Sequence, residues 1–186
     1  MLEMLVLAFL VVGGAVAHPS VRCPNNFDYS VGRSCFKYVT DNMLLYDHAR
    51  TYCQRNLGGR LAVLDSRRKL KATIDFFHEK FAEEEREGGV PTAWVEGHWI
   101  PGTTHLRYGN GKVDKRPHWM TSTRNKDTGK LFRWPTSSLF GWEATCIAVS
   151  LWKPGIPDLG VRASAGFYNV PCNSIYWTHA LCEVTN

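Results

Sequence analysis

The sequence lacks any Cys-x-x-Cys pair, although it holds six cysteines, at positions 23, 35, 53, 146, 172 and 182. Their spacing excludes a zinc ribbon or a dithiol redox motif. His-Glu-x-x-His, a Gly-x-Ser-x-Gly elbow and a glycine-rich phosphate loop are also missing. With them go the residue patterns behind zinc proteolysis, α/β-hydrolase chemistry and nucleotide binding. No Asn-x-Ser/Thr sequon occurs, so N-glycosylation is not expected. Internal repeats and low-complexity tracts are absent, and no apolar run reaches the roughly 20 residues needed to span a bilayer. Nothing points to nucleic acid.

What is present begins with a leader. An apolar run from Met4 to Val12 passes through Gly13-Gly14 into Ala15-Val16-Ala17, the small-residue pattern of a signal-peptidase site. Glu3 stands where a basic residue is usual, which leaves the α-amino group as the positive charge ahead of the run. The expectation is a removed signal peptide over residues 1–17 and a single domain over 18–186. An even cysteine count behind such a leader reads as a disulfide framework in a secreted, extracellular protein, with no thiol left for catalysis. Lys and Arg number 22 against 17 acidic residues, and the net charge of +5 suits either solubility or an anionic partner.

Cys35-Phe36-Lys37-Tyr38-Val39 alternates and reads as a strand, with Gly32 turning a hairpin before it. Leu45, Ala49, Tyr52, Cys53 and Leu57 recur at helical spacing, which predicts a helix over Asn42–Asn56, capped by Asp41 or Asn42 and stopped at Gly58-Gly59. A second helix follows Asp65-Ser66, with Leu70, Ile74, Phe77 and Phe81 on one face and an acidic tail at Glu83-Glu84-Glu85 and Glu87 that frays against the helix dipole. Ala93 to Gly97 is strand-like, and about 45 residues of loops and short strands come next. Ala144–Leu151 and Tyr176–Val184 read as core strands separated by a Pro/Gly-rich loop. A strand, two helices, then strands and loops describe an α+β domain.

These residues resemble the C-type lectin-like domain in its long, six-cysteine form. The resemblance is carried by Cys23-Pro24, Ser34-Cys35-Phe36-Lys37, Ala49-Arg50-Thr51-Tyr52-Cys53, Gly59-Arg60-Leu61-Ala62, Trp94-Val95-Glu96-Gly97, Val170-Pro171-Cys172 and Ala180-Leu181-Cys182-Glu183. It implies two helices and small antiparallel sheets with a long loop region, both chain ends in one sheet, and the pairs Cys23–Cys35, Cys53–Cys182 and Cys146–Cys172. The cysteine count alone permits 15 connectivities.

The resemblance also implies a Ca2+ cage in the long loop region, built from a Glu-Pro-Asn or Gln-Pro-Asp triplet and a Trp-Asn-Asp triplet. Ca2+ takes six to eight oxygens and can share open positions with sugar hydroxyls. Here Trp134-Pro135-Thr136 and Phe167-Tyr168-Asn169 stand in those places, Glu143 precedes Cys146 by three residues rather than two, and Ile156-Pro157-Asp158 reads as a turn. No cofactor is therefore expected, although the family uses Ca2+. The expected ligand contacts are Trp134, Thr136, Glu143, Phe167, Tyr168 and Asn169, with Trp119, Trp142 and Trp152 as further aromatic surface.

The reading is a secreted module that recognises carbohydrate without the usual Ca2+ ligands. The alternative is a Ca2+-independent partner of extracellular protein, matrix, mineral or anionic polysaccharide. Basic clusters at Arg67, Arg68, Lys69 and Lys71, and at Lys112, Lys115 and Arg116, bear on the second. His98, His105 and His118 have no acidic partner at readable spacing, so an enzyme is not expected.

Overall fold

The computed structural model describes residues 22–40, 45–82, 91–119, 121–124, 131–133, 135, 145–151, 165–173 and 179–185. Strands β1 (Tyr29–Val31) and β2 (Ser34–Val39) form the expected hairpin. It turns at Gly32, whose φ of 61° is the left-handed conformation that a side chain disfavours.

Helix α1 (Tyr46–Leu57) starts later than the periodicity suggests, and the expected caps, Asp41 and Asn42, lie outside the described residues. Its N-cap is Leu45, which makes no side-chain cap. Tertiary contacts set the start instead: the Tyr46 N–H donates to the Cys172 carbonyl at 3.3 Å, and the Tyr46 ring meets Trp94 edge-on at 5.5 Å. The end is as expected, with Gly58 left-handed and the Gly59 N–H donating to the Cys53 carbonyl at 3.0 Å.

Strand β3 (Arg60–Leu61) opens the wholly buried run Leu61–Leu64. Helix α2 (Arg67–Lys80) is capped by Ser66, whose hydroxyl accepts from the Lys69 N–H at 3.3 Å. The helix buries Leu70, Thr73 and Phe77, and the acidic stretch beyond it lies outside the described residues.

Next come β4 (Thr92–Trp99), β5 (Leu106–Tyr108), β6 (Val113–Asp114), β7 (Thr121–Arg124), β8 (Leu131–Arg133), β9 (Cys146–Ser150), β10 (Gly166–Val170) and β11 (Ala180–Thr185). Among the described residues one nine-stranded sheet runs β1-β2-β11-β4-β5-β6, with β3 on β11, β9 on β4 and β10 on β9, while β7 and β8 pair apart. β11 lies antiparallel to β2, Val184 opposite Cys35, which brings the two chain ends together. A parallel pairing of Ala180 with Trp94 makes the sheet mixed rather than purely antiparallel.

Strand β10 corrects the expectation of an uninterrupted loop between the last two core strands. Its five residues pair antiparallel with β9, from Gly166 opposite Ser150 to Val170 opposite Cys146, and all five are buried. A strand buried on both faces loses the alternation that would reveal it, and at five residues it is hard to separate from the loop before it. The final strand begins at Ala180, four residues after the expected Tyr176, and residues 174–178 lie outside the description.

The disulfides are Cys23–Cys35, Cys53–Cys182 and Cys146–Cys172, as the resemblance implied. Cys53–Cys182 joins α1 to β11 across 129 residues, a closure worth roughly 5 kcal/mol in the chain-entropy model. Trp94 is wholly buried at the centre of the core, as are Leu61 and Phe77.

Candidate ligand-binding site

The expected ligand residues divide by position. Trp134, Thr136 and Glu143 lie outside the described residues, as do Trp142, Trp152 and Asp158, while Pro135 is partly buried. Phe167, Tyr168 and Asn169 occupy β10 and are 2%, 3% and 0% exposed. Tyr168 and Asn169 are therefore core residues as placed, a correction to their expected part in a ligand surface. Burial holds the Tyr168 phenol well above its ordinary pKa. Phe167 packs edge-on against Trp119 and Tyr108, each at 6.4 Å between ring centres. Trp119 is tied down by its indole N–H, which donates to the Thr104 carbonyl at 2.7 Å.

Among the described residues, a single group brings three potential metal ligands within 4.8 Å of one another: His98, Cys146 and Cys172. The two sulfurs are bonded to each other, so no thiolate is available and one imidazole remains. Of the positions that a Ca2+ cage would use, the described one is Asn169, an uncharged amide at zero exposure. That placement does not fit a hydrated, open-sided Ca2+ site.

A cleft of about 300 Å³ opens beside β10, between the start of α2 and the β5–β6 region. Leu64, Leu70, Tyr108, Pro117 and Phe167 contribute to its lining but are themselves almost wholly buried, and polar groups make up most of the surface it presents. Its rim brings together the two basic clusters that lie far apart in sequence, through Arg67 and Arg116, with His118 beside them. The acidic residues on the rim are already engaged. Asp65 accepts from Asn110 at 3.1 Å and pairs with Lys69 at 3.7 Å and Lys112 at 4.0 Å. Asp114 accepts from the Arg116 N–H at 2.8 Å and from the Tyr108 hydroxyl at 3.3 Å.

The cations differ in the same way. Lys69 is committed to Glu183 at 2.6 Å, Lys71 to Asp75, and Lys112 donates to the Asp65 carbonyl at 2.8 Å. The guanidinium groups of Arg67 and Arg116 are exposed and form no ion pair among the described residues. What remains is a largely polar cleft lined by two guanidiniums that form no ion pair among the described residues, an arrangement that can chelate an anionic substituent.

A second, shallower cleft of about 220 Å³ lies over β4 and is lined by Arg50, Gln54, Arg60 and Glu96. Glu96 is near enough to Tyr46 to help push that phenol up to about 12, burial being the larger cause. His98, although its side chain reaches solvent, is pushed the other way, below its ordinary value, by partial loss of water around the ring that the nearby Glu96 carboxylate only partly offsets.

Solved structures share the fold. Human lithostathine matches with a TM-score of 0.55 at 14% identity, covering 89% of this chain and 92% of that one. A calcium-independent type II antifreeze protein matches at 0.55 and 16% identity, covering 90% and 98%. The cow C-type carbohydrate-recognition domain of CD23, solved in the presence of a GlcNAc2Man3 oligosaccharide, matches at 0.55 and 15% identity, covering 89% and 98%. The chain has the C-type lectin-like fold.

No protein-family model matches the sequence, and no curated protein matches it either. The likeness is thus one of fold. That Arg67 and Arg116 line one cleft had no signal in the sequence beyond two basic runs. Glu96 lies inside a core motif, where nothing in the sequence shows that its carboxylate borders a cleft. His118, read as a lone histidine, stands on the rim of the larger cleft.

Proposed function

We propose that the chain is a secreted C-type lectin-like binding module that recognises an anionic glycan without a Ca2+ bridge. The observation that carries this reading is that Arg67 and Arg116 line one cleft and form no ion pair among the described residues. Arginine is suited to sulfate and carboxylate because its planar fork donates two parallel hydrogen bonds. A cleft of about 300 Å³ is at the small end of ligand pockets and suits a single substituted sugar ring. The calcium-independent antifreeze protein among the similar structures supports the idea that this fold can dispense with the ion.

Secretion rests on the leader over residues 1–17 and the three disulfides, and no described helix is long and apolar enough to cross a membrane. Carbohydrate-recognition domains among the similar solved structures support a binding role, and the six bonded cysteines leave no thiol nucleophile. An acidic protein or matrix surface is the other class of ligand that the same guanidiniums would serve.

A sulfated and sialylated glycan array, run in excess chelator, tests the reading. Retention on immobilised heparin should persist in chelator and fall steeply as salt rises from 0.1 M towards 1 M, where the screening length shrinks from roughly 10 Å to roughly 3 Å. The double variant Arg67→Ser/Arg116→Ser should elute at clearly lower salt than the parent. Binding that requires Ca2+, or a double variant that elutes with the parent, would reject the proposal. Array-negative protein that captures acidic polypeptide through the same arginines would move the reading to the matrix class.

A further inference from the structure

Glu96 occupies the third position of Trp94-Val95-Glu96-Gly97, on the same face of β4 as Trp94. Its side chain is 9% exposed, and among the described residues no group donates a hydrogen bond to its carboxylate. The nearest cation is Arg50, whose Nε lies 3.7 Å from Oε2, beyond hydrogen-bond range, on a side chain that is 59% exposed. With no donor among the described residues, this carboxylate has its unfilled acceptor positions open to the cleft it lines, where water or a ligand can supply them.

The backbone keeps the space for it. A Cβ on Gly109 would fall 2.0 Å from Glu96 Cγ, so the neighbouring turn must be glycine for the side chain to lie where it does. The cleft above Glu96 is walled on one side by Arg50 and Gln54, one turn apart on α1. No described residue takes the Gln54 amide as a hydrogen-bond partner.

The acceptor at the base and the donors on the wall select the ligand. An ammonium group would meet Glu96 but be repelled by Arg50 and by Arg60 at the rim. An anion would meet the arginines but be repelled by the enclosed carboxylate. A neutral pair of adjacent hydroxyls satisfies both, since each hydroxyl donates one hydrogen bond and accepts others. We propose that the Glu96 cleft is a second binding site, independent of the Arg67–Arg116 cleft, which takes a vicinal diol of a neutral sugar ring. One hydroxyl donates to Glu96 while its neighbour accepts from Arg50 and Gln54.

The test is a 1H–15N NMR titration of the folded protein, in chelator, with methyl α-mannopyranoside, methyl α-glucopyranoside and methyl β-galactopyranoside. At least one should shift the amides of Gln54, Gly97 and Gly109 with a roughly millimolar dissociation constant. Glu96→Gln should weaken that binding by roughly tenfold or more, the range for losing a hydrogen bond to a charged group. Arg67→Ser/Arg116→Ser should leave it unchanged, which separates this site from the anionic one. Gln54→Ala, at an exposed helix position, should weaken binding severalfold and serves if Glu96→Gln misfolds. The proposal is overturned if no glycoside moves these amides, if the glycoside binds the parent and Gln54→Ala alike, or if methylammonium moves them in place of the sugars.

Discussion

Trp94 and His98 sit on one face of the same strand and report opposite ends of the burial scale. Trp94 has no exposed surface and is packed edge-on by Tyr46, so truncating it leaves a large void that rigid neighbours cannot fill. Trp94→Ala should cost about 3–5 kcal/mol in chemical denaturation, as for other large-to-small core changes. A thermal midpoint left within a degree or two of the parent would remove Trp94 from the core. His98 lies against the Tyr46 ring at 5.6 Å and is surrounded by Asp47, Arg50, Glu96 and Arg107. Its lowered pKa means that the unfolded chain, with a histidine pKa near 6.5, takes up the proton more readily. The associated stability is complete above about pH 6.5 and declines as the pH falls towards the lowered folded value. His98→Gln should flatten the fall in melting temperature between pH 7 and 5, and an unchanged slope would show that His98 is not the group responsible.

Four elements meet at Glu183, which is buried on β11 next to the disulfide at Cys182. Its carboxylate accepts from Ser34 on β2, from the Val63 N–H beyond β3 at 2.8 Å and from Lys69 on α2 at 2.6 Å, with Arg60 at 3.8 Å. Removing one partner leaves a buried charge short of its counter-ion, so Lys69→Met should destabilise by about 3 kcal/mol, the low end for broken buried pairs. Denaturant titration decides it, and a loss below about 0.5 kcal/mol would mean that Arg60 takes over. Much at this scale was legible in the sequence. Ser66 and Gly58 announce the cap of α2 and the end of α1, because each acts through its own local chemistry. The start of α1 and the existence of β10 were not, because a tertiary hydrogen bond from Tyr46 to Cys172 and a two-sided burial decide them. The candidate site was legible least of all. Its two arginines are far apart in the chain and meet only once α2 and the β5–β6 turn are packed.

At the scale of the whole molecule, the bridges and the shared sheet of the chain ends determine how the domain would carry load. Thr185 lies opposite Ser34, so tension applied to the two ends peels β11 from β2 from one end of the ladder. Peeling reaches Cys182 after three residues, and there the sulfur bond to Cys53 takes the force. On the other side the bond from Cys23 to Cys35 bypasses the β1 hairpin. The mechanical path through the oxidised domain is therefore reduced to the stretch between Cys35 and Cys53. Everything from β3 to β10, including the Arg67–Arg116 cleft, hangs outside it, whereas Arg50 of the Glu96 cleft lies on it. Single-molecule pulling should give a short extension for the oxidised protein and a far longer one after reduction. A long extension without reduction would contradict that path. A domain wired this way can be stretched between its two ends while the Arg67–Arg116 cleft stays slack.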